Sequence, residues 1–322
     1  MASSLLEVVN LKTYFFTRHG AVKAVDGVSF SVERGHSTGV VGESGCGKSI
    51  SCLSIMGGVP TPGKIVGGSV CFEDEELLEK SEKEMRQIRG RKISIILQDS
   101  LTSLNPSFSI GDQVAETIRL HQGLKGRELR DRTIDALRLV RIPDAERRLA
   151  DYPHQMSGGM RQRVSGAIAL SCHPSLLIAD EPTTSLDVTT QAQYLELLRE
   201  VQLKSNIGMI FVTHDFGIVV KMCDKVAVMY AGTIVETSPT KDLFNNPAHP
   251  YTSALMQSIP RLEVKIEKLA CIDGQPPSLI EPGPGCRFAP RCNKVKSLCR
   301  EEAPPQTIVG NDHTVTCWEA GK

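Results

Sequence analysis

Eight residues constrain this chain more than any others. Gly42 to Ser49 read GESGCGKS, with three glycines, a lysine and a serine set between two apolar stretches. Upstream, HSTGVV reads as a short buried strand rich in β-branched residues; downstream, ISCLSIM continues as a helix. In a strand, glycine-rich turn and helix, backbone N–H groups converge on phosphate oxygens with the positive end of the helix behind them. Lys48 then supplies charge to the β- and γ-phosphates, and Ser49 offers a hydroxyl to Mg²⁺. A glycine-rich turn with a chance lysine is the plainer alternative, and the flanking strand and helix count against it.

The rest of the composition limits what the phosphate is used for. At 322 residues the chain is long enough for a full core and for more than one domain. Its 37 basic and 37 acidic side chains cancel, so no global field recruits nucleic acid or anionic lipid. No run reaches the ~18 apolar residues of a membrane helix. The start, MASSLLEVVN, lacks the basic and long apolar regions of a secretory signal. A cytosolic chain with at most a peripheral membrane role is expected.

Periodicity gives the organisation. Residues 5–33 alternate apolar and polar in two runs around TRHGA, as an antiparallel hairpin does. GSVCFE (68–73) and KISIIL (92–97) read as strands. From about Leu104 to Ala150 the pattern is helical, with Ile134, Leu137 and Val140 on one face. LLIAD and MIFVTH are continuous apolar strands of the kind buried in parallel sheets, with a helix near Thr190–Lys204 between them. KVAVMYAGTIVET reads as a hairpin. The expected fold class is α/β, with a parallel sheet, an antiparallel β subdomain and an inserted helical subdomain over about 104–165. A boundary is expected near residue 245, dividing 1–245 from a small, irregular, Cys-rich C-terminal domain over 246–322.

Two further segments carry chemistry. LLIADEP, Leu176 to Pro182, ends a strand on adjacent carboxylates, where open α/β sheets bind ligands. Asp180 is assigned to Mg²⁺ and Glu181 to the attacking water, since phosphoryl transfer asks little beyond position and charge. QMSGGMRQR, Gln155 to Arg163, is a second glycine turn opening a helix. Ser157 can cap it, while Gly158 and Gly159 expose backbone donors. His214 ends the strand of FVTHD. Taken singly, capped helices and strand-end acids or histidines are ordinary structural features.

Taken together they resemble the ATPase subunit of an ABC transporter. Gly42–Ser49, Gln98, SGGMRQR, LLIADEP, SLD at Ser185–Asp187 and His214 look like its Walker A, Q-loop, signature, Walker B, D-loop and switch histidine. The likeness spans about residues 5–240 and implies a P-loop NTPase fold. It implies ATP bound by Gly42, Ser44, Gly45, Cys46, Gly47, Lys48, Ser49 and Ile50, with the adenine stacked on Phe15, or on Tyr14 as runner-up. Mg²⁺ would be held through Ser49, Gln98 and Asp180, with Glu181, His214 and Gln98 acting in catalysis. Ser157, Gly158, Gly159 and Asp187 would act on ATP held by a second ABC ATPase subunit, a paralogue or another copy. The sequence departs in MSGGM for the commoner LSGGQ and in Cys46 for a common serine, so Met156 and Met160 inherit no role.

The tail is distinct. Of ten cysteines, Cys286, Cys292, Cys299 and Cys317 crowd into the last 37 residues. Disulfides are disfavoured in the cytosol, and the C-x₂₋₄-C knuckle usual for zinc is missing. Four thiolates match the ligand set of a [4Fe–4S] cluster, which is preferred to zinc, with unliganded cysteines third. Arg287, Arg291, Lys294, Lys296 and Arg300 could offset the negative charge of such a site.

NNPAHPYT, QDSLTSLNP (Gln98 to Pro106) and the Pro- and Cys-rich tail resemble the oligopeptide/dipeptide importer ATPases. That likeness implies ATP hydrolysis driving peptide uptake, two transmembrane permease subunits, an extracellular peptide-binding protein, and a place on the cytoplasmic face of the membrane. Related importers for nickel complexes or other small solutes are the alternative. A rival of another class, a soluble ABC ATPase acting on nucleic acid or ribosomes, is disfavoured by one cassette per chain and balanced charge.

Overall fold

Three strands are buried along their whole length: Ser37–Val41, Leu176–Asp180 and Gly208–Thr213. Full burial explains why they read as continuous apolar runs rather than alternating ones. They occur in a computed structural model that describes residues 4–98, 103–184, 186–258 and 272–320. Backbone contacts divide the chain into two units. One comprises Met1–Leu5, Glu33–His36 and Glu79–Phe211; the other comprises Leu6–Val32, Ser37–Leu78 and Val212–Lys322.

In the first unit, Ile93–Ile96 pairs in parallel with Leu176–Asp180, from Ile93 opposite Leu176 to Ile96 opposite Ala179. Strand Gly208–Thr213, which begins in this unit, lies on the other side of Leu176–Asp180. The helical stretch resolves into Ile110–Gln122 and Gly126–Leu139, followed by Gly158–Leu170. Ser109 caps the first of these by accepting from Asp112 N at 3.1 Å. Ile134, Leu137 and Val140 are all buried, as their spacing predicts. A fully buried side chain of this size contributes about 1.5–3 kcal/mol. Helix Val188–Ser205 is the one expected near Thr190–Lys204.

In the second unit, Ser37–Val41 pairs in parallel with Lys225–Tyr230, which turns back antiparallel into Thr233–Pro239. The strand leading into the phosphate loop is fastened at its start. Ser37 donates from both N and Oγ to Asp224 Oδ2, each at 2.8 Å. A separate four-stranded sheet has the order Gly20–Glu33, Ser4–Thr17, Gly63–Phe72 and Glu75–Glu76. Its first two strands are the expected hairpin.

The tail is less irregular than its prolines suggest. Gln306–Gly310 and His313–Thr316 form a hairpin, and the latter pairs with Thr233–Pro239, Glu236 lying opposite Val315. His313 Nε2 sits 2.8 Å from the buried Glu236 carboxylate, which also accepts the backbone N–H groups of Ala248 and His249. Among the described residues, no helix is long and apolar enough to cross a membrane.

Candidate active site

The phosphate loop forms as its residues require. Gly42, Gly45 and Gly47 all have positive φ, at 153°, 79° and 107°. A Cβ at Gly42 would lie 2.1 Å from Met229 O, and one at Gly47 would lie 2.2 Å from Ala24 O. Both positions therefore demand glycine by close backbone approach as well as by conformation. Helix Lys48–Ile55 follows directly, with no side-chain cap and no acid in its first turn. No side chain or acid therefore competes for its positive end. Lys48 is buried, and its Nζ donates to Gly42 O at 2.8 Å and Glu43 O at 3.0 Å, with Cys46 Sγ at 3.9 Å. Burial pushes the Cys46 thiol up, so it stays a small neutral group here. Ser49 and Ile50 occupy the first turn of the helix, and Ser44 and Gly45 are exposed.

The carboxylate pair lies in the first unit. Asp180 ends its strand, and both it and Glu181 are buried. Glu181 has φ of 45°, a left-handed conformation costing a non-glycine residue on the order of 1 kcal/mol. Its Oε2 accepts from Gln98 Nε2 at 2.9 Å and from Thr184 Oγ1 at 3.0 Å. The structure thus brings together two of the expected catalytic residues and adds Thr184. Sequence reading missed Thr184, although a hydroxyl three residues after a strand-end acid is a usable signal.

Ser157 caps helix Gly158–Leu170 as expected, accepting from Met160 N at 3.3 Å. The two glycines differ. A Cβ at Gly158 would meet nothing within 4 Å, whereas one at Gly159 would lie 2.6 Å from Thr190 Cγ2. Gly159 is thus required by packing on the next helix. Asp187 accepts from Thr190 N at 3.0 Å and from Thr190 Oγ1 at 2.7 Å, capping helix Val188–Ser205. Those hydrogen bonds, the backbone one foremost, lower its carboxyl below the usual range. Ser185 of SLD and residues 99–102 of QDSLTSLNP lie outside the described residues. His214, at the end of its strand, is exposed.

Of the aromatic candidates, Phe15 lies opposite Gly63, whose lack of a side chain admits the ring; a Cβ there would be 2.8 Å from Phe15 Cε1. Tyr14 is engaged elsewhere, donating to Asp26 Oδ1 at 2.6 Å. Burial first, then Asp26, pushes its phenol up to about 12.

In the tail, Cys286, Cys292, Cys299 and Cys317 line one pocket together with Phe288, Ala289, Pro304 and Trp318. Burial pushes the Cys286, Cys292 and Cys317 thiols up, and neighbouring cysteines of the set push in the same direction. Each of these three sulfurs also has a backbone N–H two residues on: Phe288, Lys294 and Glu319. The Glu319 N to Cys317 Sγ distance is 3.4 Å. Among the described residues, however, no group of three or more His, Cys, Asp or Glu side chains is arranged to hold a metal ion. That arrangement supports neither the expected [4Fe–4S] cluster nor its zinc alternative; what the four cysteines share is one pocket. Of the five bases expected to offset its charge, Lys294 lines the pocket and acts to lower the Cys292 thiol, while three others are engaged with acids. Arg287 pairs with Asp26, Arg291 with Glu43 and Lys296 with Glu319.

Two family models match the chain. Residues 25–184 match the family model described as ABC transporter, and residues 235–299 match the oligopeptide/dipeptide transporter C-terminal region. The chain is 49% identical over 315 residues to the dipeptide transport ATP-binding protein DppD of Bacillus subtilis, covering 98% of this chain and 94% of that one. It is 48% identical over 317 residues to the oligopeptide transport ATP-binding protein AppD of Bacillus subtilis, covering 98% and 97%. Among solved structures it resembles the dimeric post-hydrolysis ATP-binding cassette MJ0796 bound to ADP and Pi. There the TM-score is 0.66 at 24% identity, covering 73% of this chain and 98% of that one, a likeness of fold.

Proposed function

Since the chain belongs to the ABC transporter ATPases that carry an oligopeptide/dipeptide transporter C-terminal region, we propose that it hydrolyses ATP to drive dipeptide or oligopeptide import. One observation carries this most directly: a phosphate loop and a transporter-type C-terminal region lie in one chain that matches peptide-transport relatives almost end to end.

The residues supply the parts of the reaction. The amides of Gly42–Ser49 and the Lys48 ammonium bind the phosphates, and Phe15 supports the adenine. Glu181, steadied by Gln98 and Thr184, orients the attacking water and accepts its proton. His214 serves at the γ-phosphate. Ser49, Gln98 and Asp180 offer only oxygen donors, a hard set that fits Mg²⁺, which neutralises phosphate charge when bound. Ser157, Gly158, Gly159 and Asp187 serve ATP held by a second ATPase subunit. The pair closes when ATP is present because the γ-phosphate binds the closed state more tightly.

The helical subdomain over about 104–165 and the Gln98 segment transmit that change to two permease subunits. They place the chain peripherally on the cytoplasmic face, and an external binding protein delivers the peptide. Beyond residue 245 the extension carries the four-cysteine pocket, in which Cys286, Cys292, Cys299 and Cys317 would be the ligands of a [4Fe–4S] cluster. The four sulfurs share one largely apolar pocket, and the backbone N–H groups aimed at three of them suit thiolate ligands. Such a cluster would supply a covalent cross-link between tail segments.

The test is assembly and stimulation. Affinity purification of the tagged chain from membranes should recover permease subunits, and the reconstituted complex should hydrolyse ATP faster when peptide-loaded binding protein is added. Recovery of ribosomes or DNA instead would overturn the importer reading.

A further inference from the structure

Glu43 is the only acid in the phosphate loop, and its carboxylate stands beside amides that bind phosphate on the ATPase reading. Two residues from far along the sequence take hold of it. Tyr251 OH accepts the Glu43 backbone N–H at 3.0 Å. Arg291 Nη1 donates to Glu43 Oε2 at 2.8 Å.

Both partners are themselves held rigidly. Arg291 is only 5% exposed at its side chain. It donates further to Tyr230 OH at 3.3 Å, Ile272 O at 3.2 Å and Asp273 O at 3.1 Å. Tyr251 is fully buried and packs on Tyr230 and Phe288, with ring centroids 4.5 and 5.3 Å apart. Phe288 and Arg291 lie between Cys286 and Cys292, so the folded tail presents the guanidinium at one fixed place.

We infer that Arg291 and Tyr251 are positioning residues for nucleotide binding: through Glu43 they set the charge and the backbone course of the phosphate loop. The inference rests on the ATPase reading and deepens it. An unpaired carboxylate next to a triphosphate repels it, and the repulsion grows as the surroundings exclude water. Arg291 cancels that charge with a planar donor that remains protonated at any working pH. Tyr251 fixes a backbone unit whose neighbour, Gly42, has no room for any other residue.

The alternative role for the same contacts is to fasten the tail and nothing more. The two roles give opposite results in one pair of variants. If Arg291 only fastens the tail, removing the Glu43 carboxylate as well cannot restore what Arg291→Ala loses. If Arg291 neutralises the loop, it must.

Titration calorimetry of the full-length chain with ATP and Mg²⁺ decides between them. Arg291→Ala should raise the Kd for ATP at least tenfold, about 1.4 kcal/mol. That loss should shrink as salt is added, because screening weakens the repulsion. The double variant Arg291→Ala with Glu43→Gln should return to within about threefold of the wild type. Tyr251→Phe should raise the Kd several-fold and keep the wild-type salt dependence. A wild-type Kd in Arg291→Ala, or no recovery in the double variant, overturns the inference. Should Arg291→Ala not fold, the charge-removing Arg291→Gln and Tyr251→Phe replace it, and wild-type affinity in both is equally fatal. Failure of the ATPase reading looks different: the wild-type chain itself would not bind ATP, or Lys48→Ala would bind it unchanged.

Discussion

Gln98 Nε2 donates a 2.9 Å hydrogen bond to Glu181 Oε2, joining residues 83 apart in sequence. The bond is made to a carboxylate whose backbone is already in an uncommon conformation, with φ of 45°. Thr184 supplies a second donor to the same oxygen. Glu181 is therefore held from two sides, which suits the water-orienting role proposed for it.

Replacing Glu181 with Gln keeps the size and the hydrogen-bonding reach of the side chain but removes the proton acceptor. ATP affinity should stay within a few-fold of wild type, while turnover should drop by roughly 10² to 10⁴. Nucleotide titration and steady-state phosphate release measure the two separately. Near-normal turnover would strip Glu181 of its role.

The signature glycines should respond differently to the same substitution. Gly158→Ala adds a methyl group into open space, while Gly159→Ala drives one to 2.6 Å from Thr190 Cγ2. Overpacking of this kind costs about 1–3 kcal/mol. Gly159→Ala should lower the chemical-denaturation midpoint and Gly158→Ala should not, though both should reduce hydrolysis. Equal stability in the two variants would contradict the packing role given to Gly159.

How far the sequence foretold this depends on how local each signal is. GESGCGKS could be read outright because its glycines answer to backbone geometry within eight residues, and Met229 and Ala24 crowd two of them as that geometry requires. Ile134, Leu137 and Val140 were legible because helical period and burial coincide. Glu43, Tyr251 and Arg291 were not, because nothing in their local spacing tells which distant partner a surface-type residue will meet. The tail hairpin was hidden for another reason. Prolines and cysteines crowd 276–305, and beside them the short β-branched runs on either side of GND give too few residues for a strand period to stand out.

The cysteine pocket makes a prediction independent of ATP. Full-length chain purified without oxygen should be brown and contain about four iron atoms. Cys292→Ser should lose colour and iron together and lower thermal stability, because the cross-link between tail segments goes with them. Zinc bound without iron, or a colourless chain with no metal, would remove the cluster from the account.

Acid should weaken the fold through His249. Its ring is buried against Phe288, with centroids 5.8 Å apart, and its Nδ1 accepts the Tyr251 backbone N–H at 3.0 Å. Burial pushes its pKa down from 6.5 to about 4. The unfolded chain therefore takes up a proton at a pH where the folded chain does not. Stability is complete above about pH 6.5 and is lost as pH falls towards about 4, by roughly 3 kcal/mol. His249→Asn keeps a capping acceptor for the helix that starts at Pro250 but cannot titrate. Urea denaturation between pH 7 and 4 should show a shallower decline for the variant by about one proton. Parallel declines in variant and wild type would show that acid acts through other groups, and that His249 takes up its proton over the same pH range in the folded and the unfolded chain.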